Sequence, residues 1–308
     1  MDILLQALLL VLGFAMLVKG ADRFVDGSSS VAAKLKIPQL VIGLTVVAMG
    51  TSAPEAAVSI TAALKGSAEI TIGNIVGSNI LNILIILGIS SVITALAVAK
   101  STVKVDIPFM TAITVMLLVM GVDGKLGLIE GIIMLLVFAG YLTYLIIMAK
   151  KNPEEQTEGI KNYSVPVGLT FTAIGLVLIV LGSRFTVDAA TELAREFGIS
   201  ERFIGLTIVA LGTSLPELFT SVVAARKGNA DIAIGNIVGS NIFNILFVVG
   251  LSALITPVPF AKEFIFDTAI AIAAAVLLFL CCFRDRKLSR AGGITMLISY
   301  ASYFVVIL

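Results

Sequence analysis

Histidine is absent from all 308 residues, and so is tryptophan. Without imidazole the chain lacks the commonest proton shuttle and the commonest transition-metal ligand. Cysteine is confined to the adjacent pair Cys281-Cys282 in an apolar stretch. Thiols there behave as small packing groups, which excludes a disulfide framework. Charge is also scarce, at 13% of residues against about 25% in soluble domains. The 20 acids and 21 bases nearly cancel, which excludes a basic nucleic-acid face and an acidic disordered tail. No phosphate-cradling glycine loop and no nucleophile–base pair is present, so neither enzyme chemistry nor a cofactor is expected. What the chain has in abundance is apolar side chains, 58% of the total, with a mean hydropathy of +1.09. Apolar runs recur along its whole length, the mark of an all-α polytopic membrane protein in contact with the lipid bilayer. The first of them, after Met1-Asp2-Ile3-Leu4, lacks a basic flank and a small-residue cleavage site, so it reads as a retained helix.

The pattern predicts ten transmembrane helices, at 3–30, 38–64, 70–95, 103–121, 127–149, 164–193, 201–225, 232–256, 263–283 and 289–307. A short linker at 150–163, with Pro153 and mixed charge, divides them into 1–149 and 164–308. Those halves are repeats. Residues 43–90 and 205–252 are identical at 31 of 48 positions. Apolar bias can match Ile with Val, but it does not place Gly, Pro, Asn, Ser and Glu in the same order. Five is an odd number of crossings, so the second copy enters from the opposite side. The expected architecture is two inverted-topology five-helix repeats with a site near the midplane where they meet. Thirteen loop cations on the side of the linker face five on the other, which puts the linker in the cytoplasm of a cell-membrane protein and both termini outside. The helix set is self-contained, so a monomer is expected.

Each repeat carries Gly-Thr-Ser-x-Pro-Glu, ending at Glu55 and at Glu217, and then Gly-Asn-Ile-Val-Gly-Ser-Asn-Ile-x-Asn, ending at Asn82 and Asn244. An acid in mid-membrane costs roughly 3 kcal/mol even on insertion scales. Two in duplicated settings, with no Lys or Arg in either pair of blocks, call for a bound cation. Ala48, Ser52, Glu55 and Ser59 share a helix face, as do Ala210, Ser214, Glu217 and Ser221. Pro54 and Pro216 cannot donate to the carbonyls four residues earlier, so the helix ladders open beside the acids. Ser78 and Asn82, and Ser240 and Asn244, stand one turn apart. Carboxylates, amides, hydroxyls and freed carbonyls are hard oxygen donors suited to alkali and alkaline-earth ions. Calcium takes 6–8 of them, and two Glu match its charge. Asn74, Asn79, Asn236 and Asn241 read as helix-to-helix hydrogen bonds, and Asp106 and Asp267, near helix starts, as interfacial or helix-dipole groups. Asp22, Asp26, Arg23 and Arg184 fit either structural ion pairs or an access path.

Both blocks, in both halves, resemble the α-repeats of the cation/calcium antiporter superfamily, in its prokaryotic sodium/calcium exchanger branch. The resemblance implies that Glu55 and Glu217 bridge the central ions, with Asn82 and Asn244 flanking them in one plane. It implies contributions from Thr51 and Thr213, largely through carbonyl oxygen. Ser52, Ser78, Ser214 and Ser240, with the carbonyls of Ala48 and Ala210, would complete outer sodium sites. Proton-coupled relatives typically carry Glu where this chain has Val76 and Val238, and some potassium-dependent ones carry Asp where it has Asn244. The expected activity is antiport of Na⁺ against Ca²⁺ by alternating access, with 3 Na⁺ per Ca²⁺ and net charge movement. A Ca²⁺/H⁺ antiporter is the alternative. A channel fits less well, because tight multidentate sites release ions slowly.

Overall fold

The computed structural model describes residues 3–151, 161–197 and 210–307. It is all-helical apart from four two-residue strands. In chain order the helices are α1 (Ile3–Leu35), α2 (Gln39–Thr51), α3 (Ala53–Leu64), α4 (Glu69–Ile93), α5 (Thr102–Gly121), α6 (Leu128–Lys151) and α7 (Val165–Glu196). A short turn of helix, Ala210–Gly212, precedes α8 (Leu215–Arg226); then come α9 (Ala230–Ile255), α10 (Glu263–Phe283) and α11 (Arg290–Ile307). Among the described residues seven helices are long and apolar enough to cross a membrane, or eight if α2 and α3 count as one bent span. Residues 201–209 of the predicted span 201–225, Arg202 among them, lie outside the described residues, as do residues 152–160 of the linker.

The break between α2 and α3 follows from Pro54. It has no N–H for the carbonyl of Gly50, and at N2 of a new helix that donor is not missed. Ser52 leaves helical geometry (φ −81°, ψ 7°), and the chain turns by 50°. Ser214 repeats the device before Pro216 (φ −87°, ψ 1°). The backbone also widens to π-helix at 43–47, 82–87, 102–106 and 244–249. Such widenings cluster at functional sites, and two of them begin at Asn82 and at Asn244.

α4 and α9 form the centre, with 78% and 83% of their most apolar windows buried. α1 and α7 lie outside them as an antiparallel pair joined by glycines seven residues apart. A Cβ on Gly20 would sit 2.9 Å from the carbonyl of Gly175, and one on Gly182 2.9 Å from that of Gly13. Only glycine admits that approach. Gly235 and Gly239 do the same where α9 crosses Gly43 and Leu44 of α2. The counterpart crossing of Gly73 and Gly77 would fall at residues 205 and 206, outside the described residues.

α1 runs five residues beyond its expected end at residue 30. The polar run Ser28-Ser29-Ser30 does not stop it, because each hydroxyl finds a bond: Ser28 to the carbonyl of Phe24 (2.6 Å), Ser29 from Asn229 (2.9 Å) and Ser30 from the Tyr163 N–H (2.9 Å). Asp106 stands at the start of the regular helical run Ile107–Gly121, as the helix-dipole reading expects. This side chain is fully buried and accepts a hydrogen bond from Tyr141 (3.0 Å), an aromatic handle 35 residues away that local sequence does not reveal. Half-buried Asp267 accepts the corresponding bond from Tyr303 (2.9 Å).

Two antiparallel strand pairs tie the halves together. β1 (Leu96–Ala97) pairs with β4 (Lys287–Leu288), and β2 (Lys125–Leu126) with β3 (Val258–Pro259). Each strand thus pairs with one from the other half.

Candidate ion-binding site

The two helix breaks face each other across the middle of the molecule, and each donates to the other's acid. Ser52 Oγ donates to Glu217 Oε1 (2.8 Å), and Ser214 Oγ reaches Glu55 Oε1 at 3.5 Å. Glu55 and Glu217 are 1% and 0% exposed. Among the described residues neither meets a cation, and the second oxygen of each carboxylate, Oε2, has no donor. An unpaired buried carboxylate is costly, so this geometry is built for a positive ligand.

The central helices supply two amide oxygens by a chain of forced orientations. Asn241 Nδ2 donates to the backbone carbonyl of Asn79 (3.1 Å), and Asn79 Nδ2 to that of Asn241 (3.2 Å). A backbone carbonyl can only accept, so these bonds fix which way each amide points. Asn241 Oδ1 is left to accept from Asn82 Nδ2 (3.0 Å), and Asn79 Oδ1 from Asn244 Nδ2 (3.1 Å). The NH₂ groups of Asn82 and Asn244 are thereby each held by one hydrogen bond, which fixes the orientation of their amides. Their oxygens remain buried and unpartnered, as Oε2 of each Glu does.

A third layer holds the acids' backbones. Asn74 Nδ2 donates to the carbonyl of Glu55 (3.2 Å) and to Ser59 Oγ (2.9 Å), and Asn236 Nδ2 to the carbonyl of Glu217 (3.4 Å) and to Ser221 Oγ (2.9 Å). The Thr51 hydroxyl donates to Asn236 Oδ1 (3.0 Å). Ser240 Oγ lies 3.4 Å from the carbonyl of Ala48. Ser78 is buried on α4. Thr213 is half-buried and lines a cavity of about 390 Å³ with Pro54, Ser183, Arg184 and Asp188. Ala210 stands in the turn before the second break; its side chain lies outside the described set. Sequence reasoning missed Ser183, whose hydroxyl takes the Gly212 carbonyl that Pro216 leaves free (2.7 Å). Its repeat mate is Ala21, so repeat matching gives no hint of it.

The ambiguous charges divide in two. Lys227 bridges Asp22 and Asp26 (2.6 Å each), and Lys161 also pairs with Asp26 (2.7 Å). Arg23 lies over the ring of Phe171, 4.9 Å from its centroid. Arg184, by contrast, faces the cavity beside Thr213.

With two buried carboxylates and two oriented amide oxygens established, the comparisons decide the family. A family model described as sodium/calcium exchanger protein matches residues 5–147 and again 167–308, once per half. The chain belongs to the sodium/calcium exchanger family. It is a prokaryotic-type member of the cation/calcium antiporter superfamily, a multi-pass antiporter and not an enzyme. It is 32% identical to the sodium/calcium exchanger MaX1 of Methanosarcina acetivorans, over 97% of each chain. It is 36% identical to the inner membrane protein YrbG of Escherichia coli, over 95% of this chain and 94% of that one. Its fold superposes on a structure of the sodium-calcium exchanger NCX_Mj with a TM-score of 0.88, at 32% identity, over the whole of both chains.

Proposed function

We propose that this exchanger moves Ca²⁺ against Na⁺ by alternating access through the site at Glu55 and Glu217. The observation that carries the reading is four buried oxygens that meet no donor among the described residues: two from the acids, two from Asn82 and Asn244. All are hard donors, and the charge of −2 matches one Ca²⁺ or two Na⁺. Thr51 and Thr213 complete the central site. Ser52, Ser78, Ser214 and Ser240, with the carbonyls of Ala48 and Ala210, form outer sodium sites. Membership of the sodium/calcium exchanger family supports sodium over protons as the coupling ion, and Val76 and Val238 in place of acids support it further. Burial of both Glu supports a carrier that must change shape, in preference to a channel.

The architecture we infer is ten spans in two inverted five-helix repeats, 1–149 and 164–308, joined by the linker 150–163, in a monomer. The strand pairs support it. With ten spans, β1 and β4 follow the third and ninth crossings, and β2 and β3 the fourth and eighth, so paired strands share a side. Lys161, Lys227 and the end of α1 share a side by the same count. The cation bias makes that side cytoplasmic in the cell membrane, with both termini outside. The Arg184 cavity then opens outward, while Lys227 and Lys161 close the inner end against Asp22 and Asp26.

The direct test is ⁴⁵Ca²⁺ uptake into sodium-loaded proteoliposomes. Uptake should require the outward sodium gradient and should not be supported by a pH gradient alone. Uptake driven equally well by protons sinks the sodium reading.

Three Na⁺ against one Ca²⁺ leaves one net charge per cycle, worth ~2.3 kcal/mol per 100 mV. Calcium entry coupled to sodium exit should therefore speed up at an inside-positive potassium-diffusion potential and slow down at an inside-negative one. Initial rates that ignore the potential would point to two Na⁺ per Ca²⁺.

The amide chain makes a separate prediction. Asn241→Ala removes the acceptor that orients Asn82 and leaves a buried NH₂ without a partner, a loss of ~1–3 kcal/mol. The half-saturating Ca²⁺ concentration should rise about tenfold or more, with assembly in the membrane retained. Unchanged affinity in this variant would show that Asn82 is oriented by something else.

A further inference from the structure

The β1·β4 pair brings together two chain segments rich in cations. Lys100 and Lys104 lie at the start of α5, and Arg284 and Arg286 just after α10. All four line one cavity of about 510 Å³, within the ~300–1,000 Å³ usual for small-molecule sites. The remaining walls are apolar: Val103, Pro108, Phe279 and Phe283. No acid lines it; Asp285, between the two arginines in sequence, is not part of the wall. Among the described residues none of the four cations is in an ion pair. Lys161 and Lys227, on the same side, are both taken up by aspartates.

The duplicated fold supplies an internal control. The positions that match Lys104, Arg284 and Arg286 in the other half are Phe266, Val122 and Gly124; only Lys100 has a cationic mate, Lys262. There the ring of Phe260 packs against Gly121, whose mate on the first side is the largely exposed Phe283. The same helices and the same kind of strand pair therefore form without the cations. Arg286 is the sharpest difference. It has φ 49°, and Gly124 in the matching place has φ 96°. A left-handed position suits glycine, yet this corner holds arginine. The backbone does not call for that side chain, so its reason lies in the groove.

We propose that the groove between α5 and α10 binds the phosphodiester headgroup of an anionic phospholipid. The guanidinium groups of Arg284 and Arg286 match phosphate oxygens in paired hydrogen bonds, and Phe279 and Phe283 carry the first part of the acyl chains. Basic pockets between transmembrane helices are a recognised lipid-headgroup chemistry. Only the leaflet, cytoplasmic, rests on the orientation inferred above; binding itself does not.

The test is native mass spectrometry of the detergent-purified protein given equal amounts of phosphatidylglycerol and phosphatidylcholine. Phosphatidylglycerol should be retained in preference. The variant R284Q/R286Q should lose that preference by about fivefold per cation removed, whereas K150Q/K151Q, with the same charge change on the same side, should keep it. Arg286→Gly guards against a folding artefact. It relaxes the backbone and should raise the melting temperature, while still weakening phosphatidylglycerol retention. Equal retention of the two lipids, or retention indifferent to R284Q/R286Q, overturns the proposal. Displacement of the lipid by equimolar glycerol 3-phosphate would also overturn it, by making the groove a site for soluble anions.

Discussion

Replacing Glu55 or Glu217 by Gln should abolish sodium-driven Ca²⁺ uptake and leave a folded protein. Gln keeps the volume and can still accept from Ser214 or Ser52, the donors that now reach Oε1. What it removes is one of the two negative charges that the described residues bring to the site. Two unit charges 4 Å apart attract by about 4 kcal/mol at an effective dielectric of 20, or about 10³ in binding. A divalent ion feels more. Stability should move the other way or not at all, because a neutral side chain replaces an unpaired buried carboxylate. The check is ⁴⁵Ca²⁺ flux set beside the melting temperature of the purified protein. Flux within tenfold of the parent in either variant would remove that residue from the ion path. A lowered melting temperature in both would recast the pair as structural.

Much of this site is readable from the residues because duplication isolates it. Random apolar drift does not place Pro54 and Pro216, or Asn82 and Asn244, 162 residues apart in matching contexts. The proline chemistry then locates the breaks to within two residues, since a missing N–H acts locally. Less was readable where the cause is tertiary. That Asn79 and Asn241 aim Asn82 and Asn244 depends on α4 meeting α9, a contact between residues 162 apart. Asp106 reads from its place in the chain as an interfacial or helix-dipole group, and its bond from Tyr141 on α6 is not visible there. α1 continues past residue 30, and two of the serines there have partners distant in sequence: Ser29 accepts from Asn229 and Ser30 from the Tyr163 N–H. Lys227 reads as a loop cation and turns out to bridge two acids of α1. In each case the local rule holds and a partner distant in sequence overrides it.

The amide at position 244 is where charge and geometry are most tightly linked, and Asn244→Asp should convert a pH-indifferent ligand into a titrating one. Asn244 Nδ2 donates to Asn79 Oδ1, and Asn79 cannot turn its own NH₂ to help, because that group is held by the carbonyl of Asn241. An introduced carboxyl must therefore carry a proton to make the same bond. Protonated, it reproduces the parent: a donor toward Asn79 and a carbonyl oxygen toward the ion. Ionised, it sets an anion against Asn79 Oδ1 and puts a third negative charge beside Glu55 and Glu217. Exchange in this variant should match the parent in acid and depart from it increasingly as pH rises, by up to tenfold per unit for one proton. The third charge would also give a monovalent ion such as K⁺ something to neutralise. The parent, with an amide that cannot ionise, should exchange equally well with K⁺ replaced by choline and the voltage set by another ion. Sodium-driven Ca²⁺ flux for both proteins across pH, with and without K⁺, separates the possibilities. A requirement for K⁺ in the parent would mean that another residue supplies a potassium site. Superimposable pH profiles would mean that the oxygen of Asn244 does not face the ion.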